Sequence, residues 1–183
     1  MTGDRPHGRH PTPSPPHPCS LPLPHLLAAC AETRTRRGGP GGQHRNKVET
    51  AVALRHLPSG VSAEAAERRS QAENRAMAAR RLRLRLAVAV RSDPLPRPDD
   101  APSETWHGRS HAGRLVVAES HDDYPMLLAE ALDGLAAAGW EPRVAAARLG
   151  VSATQIVRLI AKHPPALLMV NERRAAAALK ALR

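Results

Sequence analysis

Arg37-Gly38-Gly39-Pro40-Gly41-Gly42-Gln43-His44-Arg45-Asn46-Lys47 packs four glycines and a proline ahead of an uncharged amide and a basic, polar close. Glycine lacks a Cβ, so backbone here can take φ > 0 and come close to a ligand. A cluster this dense reads as a loop shaped for a narrow space. The pattern then changes period. Val48, Thr50, Val52 and Leu54 alternate with Glu49, Ala51, Ala53 and Arg55, the period of two of a half-buried strand. Pro58-Ser59-Gly60 turns the chain toward a second strand beginning near Val61. Ser70 suits the N-cap of a helix running to about Val90. In that helix Ala72, Ala76, Ala79, Leu82, Leu86 and Val90 recur at helical spacing and are expected against the sheet. Arg80, Arg81, Arg83 and Arg85 crowd the remaining circumference as a basic surface. A lead-in segment or strand from about Leu26 to Arg36 completes a small sheet on one long helix.

Outward from this centre the chain changes character on both sides. Residues 1–25 are dominated by Pro and His, and proline removes donors and fixes φ, so this stretch is expected to be disordered or extended. It has no apolar h-region of a secretory signal. Its histidines, His7, His10, His17 and His25, have no backbone geometry to hold a metal. Residues 92–123, with Pro94, Pro96, Pro98 and Pro102, read as a linker. Residues 124–183 read as a small helical region. Leu128, Leu132 and Leu135 form an apolar stripe that Gly139 stops, Pro142 opens the next helix, and Leu149-Gly150 ends it. Ser152 caps another helix through Ile156, Val157, Leu159 and Ile160; Pro164-Pro165 breaks again, and a last helix runs from Ala166 to Leu182. The run from Ala145 to Leu159 resembles the helix-turn-helix of bacterial regulators.

The expected class is therefore α+β. A disordered tail (1–25) leads into a sheet-and-helix domain (26–91), a linker (92–123) and an all-α, helix-turn-helix-like C-terminal domain (124–183). Composition bounds the function. The 183 residues carry 27 Lys and Arg against 17 Asp and Glu, a net charge of +10, which points to a polyanionic partner. Aromatics are 2% with no Phe, which argues against recognition by base stacking on aromatic platforms. Cys19 and Cys30 make neither a disulfide framework nor a metal-ligand spacing, so a reducing, cytoplasmic setting is expected. No apolar run approaches the roughly 20 residues that span a bilayer, and no membrane partner is expected.

The loop, Glu49-Thr50-Ala51-Val52, Leu57-Pro58-Ser59-Gly60-Val61 and Glu67-Arg68-Arg69-Ser70-Gln71 with Asn74 occur in the order seen in one family. From Ala31 to Val90 the chain resembles the catalytic domain of class-I peptide chain release factors, and equally their short relatives that rescue stalled ribosomes. The resemblance implies hydrolysis of the ester joining a nascent peptide to tRNA, with Gln43 as the catalytic residue and Gly41 and Gly42 letting it reach the reaction centre. It implies that His44, Arg45, Asn46 and Lys47 hold the loop against RNA, with Arg68, Arg69 and Gln71 near RNA at the helix start; the chain's basicity adds the helix face of Arg80, Arg81, Arg83 and Arg85 as a further expected contact. Asn46 is equally suited to tying the loop to its own strand. The implied partners are large-subunit ribosomal RNA and peptidyl-tRNA, with no metal and no small-molecule cofactor; a glutamine methyltransferase acting on Gln43 is left open.

Two positions depart from the family pattern: Gly38 stands where Ser is common, and Pro40, familiar in the short rescue relatives, stands where many full-length factors carry Ala. Only a Pro-rich stretch precedes the loop, with no stop-codon recognition domain, so codon-independent action is expected; no long Lys/Arg tail closes the sequence, which leaves the means of sensing a stalled ribosome open. The competing reading is a helix-turn-helix nucleic-acid-binding regulator whose Gly-Gly-Gln domain is a non-catalytic docking piece.

Overall fold

The computed structural model describes residues 16–35, 50–93 and 95–183. A 3-10 turn (Pro18–Ser20) and a short helix α1 (Leu23–Ala28) lead into three antiparallel strands in sequence order: β1 (Cys30–Thr35), β2 (Ala51–His56) and β3 (Ser62–Ala65). The β2–β3 turn is closed by Gly60 N–H donating to His56 O (2.8 Å) and His56 N–H to Val61 O (2.8 Å), with Gly60 at φ 72°. Only a residue without Cβ takes that conformation freely, which explains the glycine. Val52, Leu54 and His56 alternate into the core as the period predicts.

The long helix α2 (Gln71–Ala89) starts at Ser70, whose Oγ accepts from Glu73 N–H, and packs on β2 and β3. Its buried positions are Asn74, Ala78, Ala79, Leu82, Leu86 and Ala87. The expected stripe is thus corrected at its start: Ala72 and Ala76 are exposed, and the helix's first buried side chain is polar.

The chain then forms α3 (Glu104–Arg109), a two-residue hairpin of β4 (Ser110–His111) and β5 (Arg114–Leu115), and four helices: α4 (Tyr124–Ala137), α5 (Pro142–Leu149), α6 (Ala153–Ala161) and α7 (Pro164–Ala176). Gly150, at φ 64°, ends α5 in the left-handed conformation, and the chain turns by 103° into α6. Leu149, Ile156, Leu159 and Ile160 are buried as expected. The last helix ends at Ala176, short of the expected Leu182, and the chain folds back so that Leu182 N–H donates to Asn171 Oδ1 (2.7 Å).

Three expectations of loose packing give way. Residues 17–21 pack: Cys19 is fully buried, and the imidazole of His17 donates from Nε2 to Val90 O (3.1 Å) while its Nδ1 accepts from Cys19 N–H (3.2 Å). Prolines here sit in the first turn of each helical segment, where a missing N–H costs nothing. Residues 1–15 lie outside the described residues. The 92–123 segment also packs. Ser103 caps α3, and the fully buried Trp106 donates its indole N–H to Leu149 O (2.8 Å) at the end of α5. Finally, one apolar cluster runs without interruption from Cys19 through Leu54, Leu82, Trp106 and Leu132 to Val170, with α2 against both the sheet and α4. Asp133 of α4 accepts from Arg91 (3.0 Å) and Ser92 Oγ (2.6 Å) just past the end of α2. The helices therefore share a core with the sheet where independent packing was expected.

Candidate functional site

The last rung of the β1–β2 ladder pairs Thr35 with Ala51, so residues 36–50 form the connection at that end of the hairpin. Connections on the order of 15 residues are long for a compact domain and are commonly functional. Gly41, Gly42, Gln43, His44, Arg45, Asn46 and Lys47 all belong to this connection and lie outside the described residues. What the structure gives is the base on which they are carried.

That base is gripped by two consecutive residues in the first turns of α2. Asn74 is fully buried, and its Nδ2 donates to Thr50 O (2.7 Å) and to Arg68 O (2.9 Å) while its Oδ1 accepts from Arg68 N–H (2.9 Å). Both amide protons are used, and the partners fix the orientation: a flipped amide would set its oxygen against two carbonyls. The other strand is held from the next residue. Arg75 Nε donates to Glu32 Oε2 of β1 (2.7 Å), and Arg34 donates to the other carboxylate oxygen (2.9 Å). The hydrogen bond from Arg75, joined by that from Arg34, holds the Glu32 carboxyl below its ordinary pKa. Thus α2 reaches the residue before β2 through Asn74, at the end of the sheet from which the connection departs, and the middle of β1 through Arg75.

Arg68 and Arg69 stand exposed on the short segment before α2, and Gln71 opens the helix. Together with Arg34 and Arg75 they place exposed cations around the base. Arg80, Arg81, Arg83 and Arg85, expected as RNA contacts, also have partners within the fold. Val61 faces β2, so alternation turns Ser62 and Glu64 toward the open edge of β3. Their carbonyls accept from Arg85 (2.6 Å) and Arg81 (2.7 Å). Arg80 donates to Glu119 O (2.6 Å) and Ser120 O (2.7 Å), and Arg83 to Leu21 O (2.7 Å).

Sequence reasoning named Asn74 only as part of a pattern and missed Glu32 and Arg75. The available signal was an asparagine, a poor helix former, in the first turns of an Ala-rich helix, where it is kept only for a local bond. Glu32 and Arg75 carry no such signal. Among the described residues, no three His, Cys, Asp or Glu are grouped to hold a metal ion.

Residues 29–119 match the family model described as the RF-1 domain. The chloroplastic peptide chain release factor PrfB1 of Arabidopsis thaliana is 52% identical over 54 residues, 30% of this chain and 12% of that protein. Peptide chain release factor 1 of Symbiobacterium thermophilum is 54% identical over 52 residues, 28% of this chain and 15% of that one. An uncharacterized mitochondrial release factor-like protein of Saccharomyces cerevisiae, YLR281C, is 40% identical over 85 residues, 46% of this chain and 53% of its own length. The chain thus spans about half of the yeast relative and a small part of the two factors. No solved structure gives a significant match. The chain belongs to the class-I peptide chain release factor family.

Proposed function

We propose that this protein hydrolyses the ester of peptidyl-tRNA on the ribosome without reading a codon, as a rescue factor. The observation that carries this is the Gly-Gly-Gln run on a long connection between two strands, both braced by α2, inside the RF-1 match. In the reaction water attacks the ester carbonyl carbon, an oxyanion develops, and the bond to the tRNA ribose oxygen breaks. The peptide leaves as its carboxylate, the ribose oxygen takes one proton of the water, and the other passes to solvent. Gln43 supplies a backbone N–H for the developing or leaving oxygen and a side chain that limits which nucleophile fits. Gly41 and Gly42 let this tip enter a narrow RNA cleft. Ribosomal RNA forms the rest of the site, so no carboxylate or imidazole base is required of the protein.

His44, Arg45, Asn46 and Lys47 on the connection, with Arg68 and Arg69 at its base, hold phosphate and ribose. Gln71 stands at the same end of α2, and Gln43 is open to modification by a glutamine methyltransferase.

The test is release of labelled peptide from purified stalled ribosomes, with and without mRNA in the A site. Wild-type protein should release peptide with the site empty, and Gly42→Ala should lower that rate by on the order of 10²-fold through misplacement of the tip. The thermal midpoint should stay put. Release by Gly42→Ala at the wild-type rate would remove Gln43 from the chemistry. Release only with a stop codon in the A site would remove codon independence.

A further inference from the structure

Asn74 sits where a buried polar group is hardest to justify by stability alone. An aliphatic residue at this position would extend the apolar stripe that begins with Ala78 and avoid desolvating an amide. Asparagine instead satisfies three backbone groups that have no place in a regular ladder: the carbonyl just outside the first β2 rung, and both polar groups of Arg68 in the irregular segment before α2. One planar amide therefore fixes the distance and angle between the residue that receives the connection and the residue that presents the exposed Arg68. Its own N–H bonds to Ser70 O (3.1 Å), so the amide is held by the first turn of α2. The helix is in turn anchored by a core that extends to α4. The grip on β1 through Arg75 is largely exposed, with side-chain exposures of 46% for Arg75 and 20% for Glu32. Of the two, Asn74 is the rigid one.

We infer that Asn74 is a positioning residue for the release reaction: its amide transmits the rigidity of α2 to the carbonyl of Thr50, and so sets the platform from which the Gly-Gly-Gln connection is presented. This role rests on the peptidyl-tRNA hydrolase reading. Asn74 touches no substrate and acts through Thr50 and Arg68. Removing its side chain leaves helix and sheet in place but lets the platform shift, and shifts of about 1 Å at a positioned catalytic group cost up to about 10²-fold.

The experiment compares full-length wild type, Asn74→Ala and Leu82→Ala in single-turnover peptide release on stalled ribosomes, below the melting temperature of all three. Leu82 is fully buried on the same helix and takes no part in the clamp, so it controls for lost stability. The expected result is a rate at saturating protein lowered about 10- to 100-fold in Asn74→Ala, with half-saturation unchanged within about twofold and Leu82→Ala near wild type. Asn74→Asp should be at least as slow, since a carboxylate keeps the acceptor for Arg68 N–H but sets charge against two carbonyls. A saturating rate in Asn74→Ala equal to wild type, or an equal loss in Leu82→Ala, overturns the positioning role while leaving the hydrolase reading intact. A wild-type protein that releases nothing overturns both.

Discussion

Residues 1–91 and 92–183 are almost equal in length and unlike in electrostatic character, one basic and the other neutral. The first carries sixteen Lys and Arg against six Asp and Glu, and the second eleven against eleven, so the whole surplus lies in the half that contains the Gly-Gly-Gln connection. The second half contains a turned helix pair of helix-turn-helix appearance, yet it lacks the charge surplus that drives nucleic-acid binding. What it supplies is core: α4 alone buries Leu127, Leu128, Leu132 and Leu135. One half holds the cationic surplus, and the other gives it something to stand on.

The severest test of that comparison is to separate the halves. A chain ended after Arg91 loses α4, strips the core beside α2 and leaves Arg91 without Asp133. It should show no cooperative thermal transition by circular dichroism and no peptide release. A truncated chain that melts cooperatively near the full-length midpoint would mean that the halves are independent and the shared core is dispensable.

A smaller effect should follow from Arg81→Gln with Arg85→Gln. Each side chain donates to a carbonyl on the open β3 edge, and partly solvated bonds of this kind contribute about 0.5–1.5 kcal/mol apiece. Denaturant unfolding should therefore show a loss of about 1–3 kcal/mol, and sedimentation should detect self-association through the uncovered edge. If stability is unchanged while ribosome affinity and its salt dependence fall, these arginines are RNA ligands after all and their carbonyl bonds are incidental.

The mildest effect is one of pH. Burial holds the imidazoles of His17 and His56 below the ordinary value of 6.5. His17 spends Nδ1 as an acceptor, and His56 Nδ1 lies 2.7 Å from Ser59 Oγ. Below pH 6.5 the unfolded chain takes up protons that the native state refuses, so stability should fall as pH drops from 7.5 to 5.5. His17→Gln should flatten that slope when denaturation midpoints are compared across the range. An unchanged slope would show that His17 is not held neutral.

Much of this was legible from residue patterns, because local chemistry left marks. The period of Val52 and Leu54, the glycine at Gly60, the cap at Ser70 and the stop at Gly150 each name an element without reference to anything distant. What stayed hidden depends on partners far along the chain. Nothing near Pro18 or Trp106 announces that both segments lie on a core completed by α4, and proline was read as a breaker where it stands in helical first turns. The arginines of α2 were read as RNA contacts alone, because their partners within the fold are backbone carbonyls, which every residue has and no sequence marks. Asn74 entered only as part of a pattern, because its meaning lies in Thr50, at a sequence distance of 24.

The aromatic residues have a consequence of another kind. With Phe absent, the chain's ring chromophores are Trp106, Tyr124 and Trp140, and all three lie in the second half. Trp106 is bonded to Leu149 O, and the Tyr124 hydroxyl donates to Leu159 O (2.9 Å), on either side of the α5–α6 turn. Near-ultraviolet and fluorescence signals therefore watch the neutral helices, while the strands that carry Gln43 are optically silent. A melting curve followed by emission is a record of one half of the molecule. Its coincidence with the curve followed at the peptide bond is how a shared core becomes visible in a cuvette.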